Sequence, residues 1–206
     1  MINERSVEIP ALLNFVQQRR NNIESLLDIG CALNEYGGDL SQLLKQGTRY
    51  DGCDLVFDSD VAPDMREYYI GDVRELDMPM YDCVISISTI EHVGMKPVQV
   101  DAPEIQQYNF FHRINRLSRK YMFVTFLFGS KGMYEKEYSS ITGSQLDAFL
   151  GLVNGEAITR FYYSENPPMG ALYQEVSRRE AMKVELNKEL GAQCVCLLGV
   201  DKCQGH

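Results

Sequence analysis

Two apolar runs separated by a single amphipathic helix constrain this chain more than any other feature. Tyr81-Asp82-Cys83-Val84-Ile85-Ser86-Ile87 has an unbroken, largely β-branched middle, and Tyr121 to Phe128 is apolar except at Thr125. Between them, Asp101 to Lys120 reads as a helix with Ile105, Tyr108, Phe111, Ile114, Asn115 and Leu117 near one face. Strands that are apolar on both faces must be covered on both faces, which is the condition of a parallel sheet with helical crossovers. Strand, helix, strand is then one complete crossover unit, right-handed by the general rule.

The rest of the chain extends that unit. A helix is expected from Val7 to about Arg20, where Ile9, Leu12, Leu13, Phe15 and Val16 form a rough stripe. Ser25 to Ile29 reads as a short buried strand stopped by Gly30, and Gly37 to Gln46 as a helix closed by Gly47. Further strands are expected at Arg49–Leu55, Tyr68–Gly71, Ala157–Tyr163 and Gln193–Val200, and further helices at Thr142–Leu152 and Gln174–Leu190. The alternation implies an α/β fold of three layers, seven strands in a mostly parallel sheet with helices on both faces. No Pro/Gly/Ser-rich stretch splits the 206 residues, so one domain spanning 1–206 is expected: a leading helix to 21, a core from 22 to 126 and closing segments from 127 to 206.

Composition narrows the function classes. Hydrophobic residues make up 45% and charged residues 24%, enough apolar surface to offset ordering entropy without cross-links. The six cysteines at 31, 53, 83, 194, 196 and 203 are scattered and read as reduced core residues; Cys194 and Cys196 have no Cys/His pair to complete a metal site, so no metal is expected. No apolar run reaches the ~18–20 residues that span a bilayer, and Met1 to Ser6 opens polar, so the expectation is a cytoplasmic protein without a membrane partner. A net charge of −9 repels phosphate backbones and disfavours nucleic acid as a partner. Homo-oligomers are open, and nothing in the sequence indicates one.

Ligand chemistry should concentrate at the first strand-turn-helix, where glycine lets backbone approach a nucleotide. The turn runs Asp28-Ile29-Gly30-Cys31-Ala32-Leu33-Asn34-Glu35-Tyr36-Gly37-Gly38. It lacks G-x-G-x-x-G: Ala32 stands where the second glycine would let a pyrophosphate pack, which argues against a nicotinamide dinucleotide. An acidic residue ending the second strand should accept from ribose hydroxyls; Asp54, followed by Leu55, is the candidate, with Asp51 and Asp58 as competitors. Gly71-Asp72-Val73 closes the third strand and offers a carboxylate to an adenine amine and an apolar rest for its ring.

These segments, LLDIGCA, GCDL, YIGDVREL and YDCVISISTIEHVG, resemble the successive motifs of the class I S-adenosylmethionine-dependent methyltransferases, in order along Asn22 to Phe126. The last resembles a D-x-V-x-x-x-x-x-x-E-H-V segment seen in members encoded with carbohydrate and natural-product biosynthesis genes, and Cys194 to Lys202 is similar to the family's closing antiparallel strand. The resemblance implies a Rossmann-like methyltransferase fold and S-adenosylmethionine as cofactor. It also implies Gly30 and Cys31 against the methionine part, Asp54 on the ribose, Asp72 and Val73 at the adenine, and Ser88 beside the sulfonium mainly through its backbone, with Asp28, Ala32 and Leu55 as further cofactor-binding residues. Ala32 departs from the family's usual glycine.

Methyl transfer from a sulfonium needs mainly a held nucleophile and exclusion of water, and a hydroxyl nucleophile gains from a base. Of three histidines, His206 is terminal and His112 lies in the striped helix, which leaves His92 as the candidate base, with Glu91 to orient it or act directly. Glu91-His92 also reads as a structural turn. The loops Thr89–Pro103, Gly129–Tyr138 and Glu165–Gln174 should meet the acceptor; they carry Tyr134, Tyr138, Tyr173, Lys131, Lys136, Asn166 and Met169, a set suited to a polar cyclic molecule such as a sugar. The expected activity is O-methylation of a small polar acceptor. An N-methyltransferase or a non-catalytic cofactor-binding module of the same fold are the alternatives.

Overall fold

The computed structural model describes residues 3–31, 36–56, 65–95, 102–130, 133–134, 138–167, 172–185 and 192–203, with 133–134 described as backbone alone. Ala32, Asp58, Lys131, Lys136 and Met169, named above, lie outside the described residues. In chain order the elements are α1 (Arg5–Arg19), β1 (Ser25–Ile29), α2 (Gly37–Leu43), β2 (Arg49–Asp54), β3 (Glu67–Ile70), β4 (Tyr81–Ile87), α3 (Pro103–Leu117) and β5 (Ser118–Leu127). After these come β6 (Met133–Tyr134), β7 (Tyr138–Ser139), α4 (Gly143–Leu150), β8 (Gly155–Tyr163), β9 (Gln174–Val176), α5 (Arg178–Ala181) and β10 (Cys194–Lys202).

The main sheet has eight strands in the order β3-β2-β1-β4-β5-β10-β8-β9. The first five run parallel, and β10 enters antiparallel between β5 and β8. This is the expected α/β sheet, including its antiparallel last strand, with one strand more than the seven expected. The addition is β9, three residues at the edge beside β8. The sequence predicts one helix over Gln174 to Leu190; within it the described residues hold β9 and the single turn of α5, which Ser177 and Glu180 open with a reciprocal capping box. A second, two-stranded sheet pairs β6 with β7.

Alternation along each strand builds two cores. Leu27, Val84, Val124 and Leu198 face a layer of α3, α4 and α5, where Phe111 stacks on Phe149 at 4.5 Å and 7°. Their neighbours Leu26, Ile85, Phe123 and Leu197 face α1 and α2, against Leu12, Phe15, Val16 and Leu40. The far end of α1 is pinned where the Arg19 guanidinium donates to both oxygens of Asp201, at 2.7 and 3.0 Å, over the ring of Phe15.

Helix α3 buries a face slightly rotated from the expected one. Phe111, Ile114, Asn115 and Leu117 are inside as expected, but Ile105 and Tyr108 are exposed and Gln107 and Phe110 take their place. Gln107 is tolerated there because its amide donates to Ser139 Oγ at 3.0 Å and its carbonyl accepts from Gln145 at 2.8 Å. Among the described residues no helix is long and apolar enough to cross a membrane. Because Phe149 is fully buried between Phe111 and Phe126, Phe149→Ala is expected to cost ~3–5 kcal/mol in urea unfolding.

Candidate cofactor and acceptor site

The chain leaves β1 toward β2 and leaves β4 toward β5, on opposite sides, so the topological switch point falls between β1 and β4 at their carboxyl ends. Both exits adopt left-handed backbone: Gly30 has φ +80° and Ser88 φ +45°. Glycine is required at 30 on two counts, since a side chain there would also meet the Thr89 side chain at 2.0 Å. Thr89 seals the pair of exits by sharing its hydroxyl between the carbonyls of Ile29 at 3.3 Å and Ile87 at 3.1 Å. The Gly30 amide donates to Cys53 O at 2.8 Å, which orders the start of the turn.

Asp28 is fully buried one residue before the end of β1 and accepts from the hydroxyls of Tyr36 and Tyr50, both at 3.2 Å. Its carboxylate therefore ties the far end of the turn, at Tyr36, to β1 and to Tyr50 of β2. Cys31 is buried with its thiol 3.9 Å from Cys53 O; burial, with the charges of Asp28 and Asp54, pushes that thiol far above its usual range and keeps it unreactive.

Asp54 ends β2 half-buried, its Oδ1 accepting from the Leu55 amide at 2.6 Å. Of its competitors, Asp51 is buried mid-strand and accepts from Tyr81 at 2.6 Å, well inside the sheet. Next door, the Gly71 amide donates to Asp54 O at 2.8 Å and leads to Asp72. The Asp72 carboxylate accepts from the amide and guanidinium of Arg74 at 2.9 to 3.0 Å, and the adjacent guanidinium holds it below the usual carboxylate range. Val73 is buried, with its carbonyl accepting from Arg113 at 3.1 Å. Beside these two carboxylates stand Leu55, Val56 and Ile70, 69%, 60% and 57% exposed. An apolar patch flanked by acidic acceptors is chemically matched to a flat base joined to a sugar diol.

Beyond Thr89, a 3-10 turn over Ile90–His92 separates two adjacent side chains. Glu91 turns inward and is 1% exposed, with Glu8 and Arg5 of α1 as its charged neighbours and Oε2 unpartnered. His92 turns outward, edge-on to Tyr138 of β7 with centroids 5.8 Å apart. The expected alignment of Glu91 behind His92 is thus not what the geometry brings together, because a 3-10 turn points successive side chains apart. His112 is exposed on the outer face of α3.

The structure adds three residues that the motifs did not single out: Thr89, and Glu8 with Thr125 behind Ser88. Glu8 is fully buried and accepts from Ser88 Oγ at 2.7 Å and Thr125 Oγ1 at 2.6 Å. A signal for Glu8 was present in the sequence: it lies four and eight residues before Leu12 and Val16, on the buried stripe of α1. Of the acceptor-side tyrosines, Tyr173 is half-buried and donates to Ala192 O, and the Tyr134 side chain lies outside the described residues. Among the described residues no group of three or more His, Cys, Asp or Glu could hold a metal ion.

No protein-family profile matches this chain, and no curated protein sequence does. Solved structures do. One is magnesium protoporphyrin IX methyltransferase from Synechocystis with bound SAM, 14% identical with a TM-score of 0.55, covering 94% of this chain and 78% of that one. A SAM-dependent methyltransferase from Archaeoglobus fulgidus is 14% identical with a TM-score of 0.56, covering 97% and 95%. The N-terminal domain of EvdMO1, solved in the presence of SAH and D-fucose, is 11% identical with a TM-score of 0.58, covering 96% and 83%. The chain thus has the fold of the class I SAM-dependent methyltransferases, as the motif resemblance implies.

Burial raises the Glu91 carboxyl to about 8, with the nearby Glu8 charge acting in the same direction. The folded protein then holds a proton on Glu91 that the unfolded chain releases near its ordinary value. Stability should therefore fall as pH rises from 5 to 7.5, by at most ~1.4 kcal/mol per pH unit for this group. Urea unfolding of Glu91→Gln, which keeps the neutral shape, is expected to show a shallower decline than the wild-type chain.

Proposed function

We propose that the chain transfers a methyl group from S-adenosylmethionine to a hydroxyl of a small polar acceptor, a sugar or sugar-like molecule. The observation that carries this reading is the alignment of Gly30, Asp54, Asp72 and Ser88 on the ends of β1, β2, β3 and β4, along one edge of the switch point. The residues fit the cofactor. Gly30 allows close backbone approach, Asp54 is sited for the ribose diol, and Leu55 and Ile70 offer apolar surface between the two carboxylates. Asp72 would share its carboxylate between Arg74 and the adenine amine.

Bound there, the cofactor supplies a methyl carbon activated by a positive sulfur. With the methyl carbon supplied in that way, His92 would take up the proton of the acceptor hydroxyl. His92 suits that role because it faces outward beside Thr89 and is flanked by Tyr138, which gives a ring-shaped acceptor an aromatic wall. Glu91, turned inward, enters this reading as part of the floor beneath the turn. One of the structures similar to this chain was solved in the presence of D-fucose, which lends the sugar reading support by analogy.

The test is release of S-adenosylhomocysteine with a panel of sugar hydroxyl acceptors. His92→Gln is expected to lower turnover 10²–10⁴-fold with little change in the KM for the cofactor. Unchanged turnover would remove the base and favour an amine acceptor. Asp54→Ala is expected to raise the KM for the cofactor tenfold or more, the ~1.5–3 kcal/mol of a hydrogen bond to a charged group.

A further inference from the structure

The exit of β4 is held by a closed ring of hydrogen bonds whose keystone comes from α1. Ser88 is a non-glycine residue at φ +45°, a conformation that persists only where surroundings enforce it. Its amide is shared between Thr125 Oγ1 at 3.0 Å and Thr125 O at 3.1 Å, that hydroxyl donates to Glu8 Oε1 at 2.6 Å, and the Ser88 hydroxyl donates to the same oxygen at 2.7 Å. Glu8 lies 80 positions from Ser88 and 117 from Thr125. Two hydroxyl donors converging on one point require an atom that only accepts, which a carboxylate oxygen supplies. The other oxygen accepts from Arg5 at 3.0 Å; burial pushes the Glu8 carboxyl up, and Arg5 with the two hydroxyl donors works against that push.

We propose that Glu8 is a positioning residue for the cofactor site: acting through Ser88 and Thr125, it fixes the backbone at the end of β4 where the methyl-donor end of the cofactor sits. The inference rests on the methyl-donor reading given above. Helix α1 is on this account a component of the site, although Glu8 itself touches neither cofactor nor acceptor. Glu91 is compatible with the arrangement because burial pushes its carboxyl up to about 8, so near neutral pH it adds little negative charge beside Glu8.

Two readouts test the proposal on the full chain. The first is the dissociation constant of S-adenosylhomocysteine by calorimetry. Glu8→Ala should raise it tenfold or more, Glu8→Gln less, since an amide oxygen still accepts both hydroxyls. In a Ser88→Gly background, where glycine adopts positive φ unaided, Glu8→Ala should add less than a threefold further loss; an undiminished effect in that background overturns the proposal. Thr125→Val removes one donor without touching α1 and carries the same expectation should Glu8→Ala not fold. The second readout needs no ligand: hydrogen exchange at the Ser88 amide should accelerate at least tenfold in Glu8→Ala or Thr125→Val, and unchanged exchange overturns the proposal whatever binds. If the wild-type chain does not bind S-adenosylhomocysteine, the methyl-donor reading fails and the cofactor half of the proposal with it.

Discussion

The divergence of β1 and β4 is the constraint on which the rest of the structure depends. These strands are paired in parallel at the centre of the sheet, and their chains must leave in opposite directions. The backbone turns through left-handed space at both exits, at Gly30 and Ser88, where the two strands part. The glycine meets that demand by lacking a side chain. The serine is held there by its neighbours, and Thr89 packs over the glycine so closely that the two exits act as one unit.

Holding that unit requires polar groups beneath the carboxyl edge, and the protein places several there at some electrostatic cost. Asp28 and Glu8 are both fully buried, yet each is met by two hydroxyl donors, from Tyr36 and Tyr50 in one case and Ser88 and Thr125 in the other. Paired donors make burial of a carboxylate tolerable where an apolar surround would not. Both carboxylates join segments distant in sequence. They tie α2 to β1 and β2, and α1 to β4 and β5, so the edge is braced from the face that α1 and α2 cover. Above it, Gln107 links α3 to β7 and α4, setting the hairpin that brings Tyr138 to His92.

Much of this was legible in the sequence, for identifiable reasons. Strands β1 and β4 matched their expected bounds because doubly buried strands are continuous apolar runs, and the order of Gly30, Asp54, Asp72 and Ser88 followed from that alternation. Strand β9 was not legible: Gln174-Glu175-Val176 is polar and short, held only at an edge by β8, and its charge made it look helical. Glu8 escaped notice because a glutamate in a leading helix is ordinarily solvated; its burial is decided by Ser88 and Thr125, far away in sequence. The parting of Glu91 from His92 was equally invisible, since adjacency along a chain says nothing of direction in a 3-10 turn. Gln107 displaced Ile105 and Tyr108 from the core for a similar reason, its partners Ser139 and Gln145 lying over 30 residues on.

The central claim is that one continuous edge, from Ser88 across Gly30 to Asp54 and Asp72, is the cofactor site. A crystal structure of the chain with S-adenosylhomocysteine tests it most directly. The expected result is density with the sulfur near Ser88 and Gly30, the ribose hydroxyls on Asp54 and the adenine over Leu55 and Ile70 beside Asp72. Density confined to another concavity, such as the groove between α1 and β8, or none at saturating ligand, would contradict it.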